Sequence, residues 1–402
     1  MSLTPPPEPA LAAGDDPRAY AAVLHAVYDA SMAGEKPPAR PRSVIGESWD
    51  RVRQAGVRPD ADTTDPVLDV VDLQERRTTS GLRELLTPLM AHLDTLIVDG
   101  ENILVVADAG GRVLWRNGVN RVLHRADRLG FTEGASWAER SVGTNAIGTA
   151  LASGRAVQVF SAEHFVRSHH EWTCAGAPIH DPRTGGVLGV IDVSGPAATI
   201  HPTTLALVDT VAKLAESTLR EAHRARLDEL RAVAAPILAR AAGPAFAVDS
   251  YGWVAALDGV DPRTRLPLPR LPATGRHHLT GIGDCDLEPM PGGWLVRVAD
   301  PDTAPGRVQV ELLGGDEPLV RVSSAGGTWV HRPSPRHAQL LRLLADHPAG
   351  LSAAQVAELL FGNPEQRITA RSEMSRLRKH LGGLLAANPY RFAEGVVVTS
   401  AD

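Results

Sequence analysis

The stretch "NILVVADAGGRVLWRNG", residues 102–118, restricts the fold more than any other. Two apolar runs flank Ala109-Gly110-Gly111, which is the signature of a tight antiparallel hairpin. The segments that follow keep that theme. "TNAIGTALASG" reads as a short capped helix closed by glycine, and "RAVQVF" as a strand. "SAEHFVRSHH" reads as a short helix, with Ser161 as N-cap and Glu163 in its first turn. "EWTCAGAPIHD" and "GGVLGVIDVSG" read as strands joined by the turn "PRTGG". Residues 202–235 then read as one long helix with Pro202 at its start. This order predicts an antiparallel sheet with flanking helices, a sensor-type α/β module.

Three helices are predicted upstream. The first is "DPRAYAAVLHAVYDASMAGE", capped by Asp16, and the second is "SVIGESWDRVRQAGV", ending at Gly56. The third, over 79–100, carries Leu82, Leu85, Leu86, Leu89 and Leu93 at helical spacing. In the long helix, Leu205, Val208, Ala212, Ala215, Leu219 and Ala222 lie near heptad spacing. That stripe either pairs with its copy in a homodimer or covers the sheet. Residues 243–330 alternate short strands with a Pro-rich stretch and show no clear chemistry. The last 70 residues read as three helices and a terminal β-hairpin, "PYRFAEGVVVTS", the winged-helix order.

The expected fold class is therefore an α/β multidomain chain. Residues 1–40 are a flexible tail with one helix, and 41–235 hold the N-terminal helices, the sensor and the long connecting helix. A small β-rich middle domain (236–330) and a winged helix-turn-helix (331–402) follow. With 402 residues and 43% hydrophobic composition there is material for several cores. Two cysteines, Cys174 and Cys285, make no disulfide framework and fit a reducing, cytoplasmic setting. The N-terminus lacks a signal-peptide pattern, and no run is apolar enough for a membrane span.

Net charge is −6, so any nucleic-acid surface must be local. It is found over residues 367–379, where Arg367, Arg371, Arg376, Arg378 and Lys379 face one acid, Glu373. On a helical wheel Ala370, Met374, Leu377 and Leu381 form one stripe. Arg371, Ser372, Ser375, Arg376, Arg378 and Lys379 lie opposite, as phosphate contact and major-groove entry require. An isolated basic helix is also read as a solvated face.

"AEHFVRSHHEWTCAGAPIHD" brings His164, His169, His170, His180 and Cys174 close in sequence. On a helix, His164 and His169 would diverge by about 140° at ~100° per residue. No spacing is that of a zinc site, so neither a metal nor a cofactor is expected. A Cys174 nucleophile or redox thiol is an alternative to packing beside an effector pocket. His164, Phe165, Trp172, Cys174, Asn145, Trp115 and Trp137 are the candidate pocket residues. His169, His170 and His180 are read as surface or turn groups.

The string "ERSVGTNAIGTAL…RAVQVFSAEHF…WTCAGAPIHDPRTGGVLGVIDVSG" resembles the GAF domain of acetoin-regulator-type bacterial activators, over roughly residues 40–225. That resemblance implies a small-molecule effector of the alcohol, ketone or aromatic class. The activators carry an ATPase domain, and the given sequence has no GxxxxGK[ST] loop. "SPRHAQLLRLLADHPAGLSAAQVAELLFG…ITARSEMSRLRKHLG…PYRF" resembles the OmpR-type winged helix. It implies that the helix at 367–381 reads double-stranded DNA while Arg391, on the wing, approaches the backbone. The wing departs from the usual pattern, with Asn-Pro-Tyr before Arg391. The combined expectation is a cytoplasmic one-component regulator and not an enzyme. The alternatives are a sensor adaptor acting through Cys174 and protein partners, or a Cys/His enzyme.

Overall fold

The computed structural model describes residues 8–60, 65–85, 93, 97, 101–241, 243–269, 272–299, 308–314, 318–324, 327–381, 384–393 and 395–401. The chain divides into two compact units, 1–220 and 221–402.

The first unit is built on five strands: β1 (Ile103–Asp108), β2 (Val113–Gly118), β3 (Val157–Phe160), β4 (Trp172–His180) and β5 (Val187–Pro196). Their order is β2-β1-β5-β4-β3, with every neighbouring pair antiparallel. Side chains alternate across β1. Ile103, Val105 and Ala107 enter one core, Leu104 and Val106 another, and all six β1 residues are buried. The sheet is thus covered on both faces, here called inner and outer.

The inner face carries α1 (Pro17–Ala33) and α2 (Ser43–Gln54). Asp16 caps α1, accepting from the Arg18 amide, and Gly34 closes it at φ 75°. Leu24, Val27 and Tyr28 of α1 are buried in the inner core, as are Ala10 and Leu11. The expected tail over 1–40 is therefore corrected: from Ala10 onward it is part of the sensor core, because α1 has an apolar face that the sheet module buries. Helix α3 (Val70–Thr79), capped by Asp69, precedes Gly81, whose φ of 73° interrupts the helix expected from residue 79. Leu82, Leu85 and Leu93 are buried in the outer core, while Leu86 and Leu89 lie outside the described residues.

Three short helices follow β2: α4 (Asn120–Asp127), α5 (Glu139–Val142) and α6 (Ala146–Ser153). The segment "SAEHFVRSHH" departs from expectation. It forms two 3-10 turns, Ser161–Glu163 and Arg167–His169, with His164 extended between them (φ −63°, ψ 136°). Glu163 causes the break, folding back to accept from the Phe160 amide and from Arg42.

Helix α7 (Pro202–Leu238) runs for 37 residues. Leu205, Val208, Ala212 and Ala215 are buried in the outer core, and Leu219 packs against it. The stripe with heptad spacing therefore covers the sheet. No described helix is long and apolar enough to cross a membrane.

The second unit contains a second five-stranded antiparallel sheet: β6 (Ala245–Val248), β7 (Val254–Asp258), β8 (Gly275–Leu279), β9 (Gly283–Met290) and β10 (Gly293–Val298). Its order is β7-β6-β10-β9-β8. Leu230, Ala234 and Leu238 from the end of α7 share a core with Ala245, Ala247, Met290 and Leu295. The boundary expected at 235/236 falls inside this core.

Beyond it lie β11 (Val308–Leu313), β12 (Leu319–Ser324) and β13 (Gly327–His331), then α8 (Pro335–Asp346), α9 (Ala353–Phe361) and α10 (Arg367–Leu381). β14 (Leu385–Ala387), β15 (Tyr390–Phe392) and β16 (Val396–Ala401) end the described chain. The expected terminal hairpin is not formed. β15 pairs with β14, whereas β16 runs parallel to β11, Val310 opposite Val398. β16 opens with Val396, Val397 and Val398, which pair along the open edge of β11, so a long-range partner wins over the local one. Val308, Val310, Val320 and Val322 share one core with Leu340, Leu344, Met374 and Leu377. The boundary expected at 330/331 divides that core and is corrected accordingly.

Candidate functional site

The inner face of the first sheet gathers most of the candidate pocket residues. His164, Phe165, Trp172, Cys174, Asn145 and Trp137 are all at most 6% exposed and border the inner core. Trp115 is not among them. It packs on the outer core, with the Arg77 guanidinium 5.7 Å from its ring centre.

The 160–165 segment is held from several sides. The Arg42 guanidinium pairs with Glu163 at 2.7 Å, Trp49 Nε1 donates to the Glu163 carbonyl at 2.9 Å, and Tyr28 OH donates to the Phe165 carbonyl at 2.7 Å. Asn145 braces the opposite wall. Its Oδ1 caps α6 through the Gly148 amide, and its Nδ2 donates to the carbonyls of Trp137 and Gly143. Asn145 thereby ties the carbonyls of Trp137 and Gly143 to the start of α6.

Between these walls three aromatic rings meet. Trp137 stacks on His169 with centroids 5.0 Å apart, and His164 meets His169 edge-on at 6.0 Å. His169 is 4% exposed, correcting its reading as a surface group. The 3-10 turn swings it inward, which the helical wheel could not anticipate. His170 is half-buried, with Nε2 against the His164 carbonyl at 3.1 Å. His180 stays partly exposed and pairs with Glu216 at 2.7 Å. Burial pushes His169 and His170 down to about 4 and His164 well below the ordinary imidazole value, so all three are neutral near pH 7. Trp137 Nε1, His164 Nε2 and His169 Nδ1 are buried without a hydrogen-bond partner. Orphaned polar atoms cost stability, and here three of them lie on one face.

Cys174 lies on the same face. Burial, with Asp192 adding to it, pushes its thiol well up, away from the thiolate that nucleophilic or redox chemistry uses, and only 6% of the residue is exposed. Its cross-strand neighbour Ser194 donates to Asp192 Oδ2 at 2.6 Å. Asp192 is 1% exposed, its Oδ1 has no partner, and burial raises its carboxyl to about 7. The sequence reading missed Asp192. Its signal was an acid inside the apolar run "VLGVIDVSG", at a position that alternation places on a buried face. Among the described residues no three His, Cys, Asp or Glu side chains form a metal-binding group. A cleft of about 430 Å³ opens elsewhere in this unit, beside Arg155, His180, Asp209 and Lys213, and none of the candidate pocket residues lines it.

In the second unit, α10 presents the other candidate surface. Ala370, Met374, Leu377 and Leu381 are fully buried, while Arg371, Ser375 and Arg376 are exposed and Ser372 is half-buried. Arg376 bridges to Glu373 at 3.3 Å and donates to Ser372 Oγ. Arg378 donates to the Leu385 carbonyl at 3.1 Å, tying α10 to β14. Arg391 is half-buried on β15, and the Lys379 side chain lies outside the described residues.

Residues 28–220 match the family described as "MimR, N-terminal domain". A Rhodococcus erythropolis protein described as "Uncharacterized 47.3 kDa protein in thcA 5'region" is 33% identical over 354 residues, covering 87% of this chain and 63% of its own length. The acetoin dehydrogenase operon transcriptional activator AcoR of Bacillus subtilis is 38% identical over 193 residues, 48% of this chain and 32% of that protein. The solved E. coli DhaR(N)-DhaL complex contains a chain matched over 64% of this one and 100% of its own length, at 20% identity and TM-score 0.43. The chain thus spans less than two thirds of either curated relative. AcoR, and the propane 2-monooxygenase operon transcriptional activator MimR of Mycolicibacterium smegmatis (31% identical over 191 residues, 47% of this chain and 32% of that protein), are named for transcriptional activation and not for an enzymatic activity, in keeping with a sensor and regulator family.

Proposed function

We propose that this chain is a cytoplasmic, ligand-responsive transcriptional regulator, with a GAF-type sensor in its first unit and a winged helix at its C-terminal end. The observation that carries the reading is α10, which buries four apolar side chains and exposes arginines and a serine on the face opposite. The match of residues 28–220 to an activator's N-terminal domain supports the sensor half.

On this reading Arg371, Ser372, Ser375, Arg376 and Lys379 meet double-stranded DNA, and Arg391 approaches its backbone. Arg378 contributes charge while bracing β14. A small alcohol, ketone or aromatic effector binds the inner face, touching His164, Phe165, Trp172, Cys174 and Trp137. The regulator acts as a homodimer, and differential affinity of the effector for two arrangements shifts DNA affinity.

The test is DNA binding by fluorescence anisotropy over a salt series, with duplex from the protein's own promoter region. Arg371→Ala with Arg376→Ala weakens binding at least about tenfold and lowers the salt slope by about two. Unchanged affinity and slope in the double variant would sink the reading.

A further inference from the structure

The two five-stranded sheets share more than strand order. In β1–β2, Asp108 Oδ1 accepts from the amides of Gly110 and Arg112 at 2.8 and 2.9 Å. In β6–β7, Asp249 Oδ1 accepts from those of Tyr251 and Trp253, both at 2.8 Å. Gly111 and Gly252 take φ 79° and 84° at the same turn position. The same register shift follows, between Val106 and Ala107 and between Ala247 and Val248. The returning chain donates Trp137 N to the Gly111 carbonyl and Leu266 N to that of Gly252. A Cβ on Gly189 would lie 2.1 Å from the Ala107 carbonyl oxygen, and one on Gly293 would lie 2.1 Å from that of Val248.

The pairing therefore sets a residue-by-residue correspondence. Pro178 matches Pro289, and Cys174 matches Cys285, so both cysteines hold one position of a repeated module. On that frame the inner-face polar groups have hydrocarbon counterparts. Asp192 matches Val296, Ser194 matches Val298 and Trp137 matches Leu266; the side-chain-free Gly176 matches Leu287. Val296, Leu266 and Leu287 are at most 1% exposed and fill that face in the second module.

The fold accepts valine where Asp192 stands. A fully buried carboxyl with one orphaned oxygen is thus not demanded by the architecture, and it costs stability. We propose that Asp192 is the polar anchor of an effector site on the inner face of the first sheet, and that it takes a small uncharged molecule through a hydroxyl group. The inference rests on the effector-binding reading above and specifies its chemistry. Oδ2 is engaged by Ser194, so Oδ1 accepts when the carboxyl is ionised and donates when it is protonated, and a hydroxyl meets either form. A carboxylate ligand would bring a second negative charge beside Asp192, and an ammonium would have to give up its water in a fully buried site.

The test uses the full chain, with thermal shift and calorimetry against short-chain alcohols and diols and the amines and carboxylates of the same skeletons. Alcohols raise the wild-type melting temperature, while the charged series do not. Asp192→Val, which installs the residue of the second module, melts higher than wild type without ligand and binds alcohols at least about tenfold more weakly. Asp192→Asn, which keeps the acceptor, retains part of the response. The anchor is overturned if Asp192→Val responds like wild type, if either Asp192 variant fails to fold, or if only a charged series shifts the wild type. If no series shifts the wild type, the effector reading for this class falls with it.

Discussion

The two sheet modules share a frame and differ in what they place on it. Both start from an aspartate turn closed by glycine, both let a glycine approach a neighbouring strand's carbonyl, and both put cysteine and proline at matching points of the fourth strand. The covering differs. The first module places α4, α5 and α6 over its inner face, and Gly176 leaves room for the backbone of Ala146, 2.7 Å from where a Cβ would stand. The second has no helix among its described residues between β7 and β8, and Leu287 replaces the glycine. Shared features are those that hold a sheet in register. The features confined to one copy are polar atoms and the helices over them, and the second module shows that the sheet forms without them.

The comparison can be broken by exchange. Val296→Asp puts a carboxyl on the apolar face of the second module and destabilises the second unit by about 4 kcal/mol in chemical denaturation. A silent Val296→Asp would mean that this face is open to water and the correspondence misplaced. Gly189→Ala and Gly293→Ala each force a Cβ against a strand carbonyl and cost about 3 kcal/mol in their own units. Strongly unequal losses would show that the two close approaches are not equivalent. Asp108→Ala and Asp249→Ala each remove two backbone hydrogen bonds and a partner, Arg76 or His223, for a smaller loss of about 2 kcal/mol.

A further expected effect is in pH. The Asp192 carboxyl titrates at about 7 in the folded chain, against about 3.9 unfolded. The unfolded chain releases its proton first, so this group lowers stability as pH rises from about 4 to about 7 and is level above that. The gain from Asp192→Val should therefore grow across that window and vanish near pH 4. A gain independent of pH would remove the carboxyl as its source. His169 and His170, pushed down to about 4, act in the opposite sense, and their stability is lost as pH falls from about 6.5 towards 4.

Much of the first module was legible because its signals are local. The hairpin around Ala109-Gly110-Gly111, the short capped helix closed by Gly154, and Pro202 opening α7 declare themselves within a few residues. The α10 stripe was legible for the same reason. What escaped depends on distant partners. β16 could not be read as a partner of β11, because the pairing joins residues 88 positions apart, Val310 and Val398. His169 could not be read as buried until Glu163 had broken the helix and turned the ring toward Trp137. The second module hid behind short strands and a Pro-rich connection. Its kinship shows only once register is known, through "DAGG" against "DSYG" and a cysteine four residues before a proline in both fourth strands.

The matched cysteines make a pair of internal reporters. Cys174 and Cys285 are both buried, one in each unit, and the sequence contains no third thiol to confuse the signal. Pulse alkylation under rising denaturant, read by mass on the two cysteine peptides, times the opening of each module separately in unmodified protein. Addition of an effector should delay Cys174 and leave Cys285 on its original schedule.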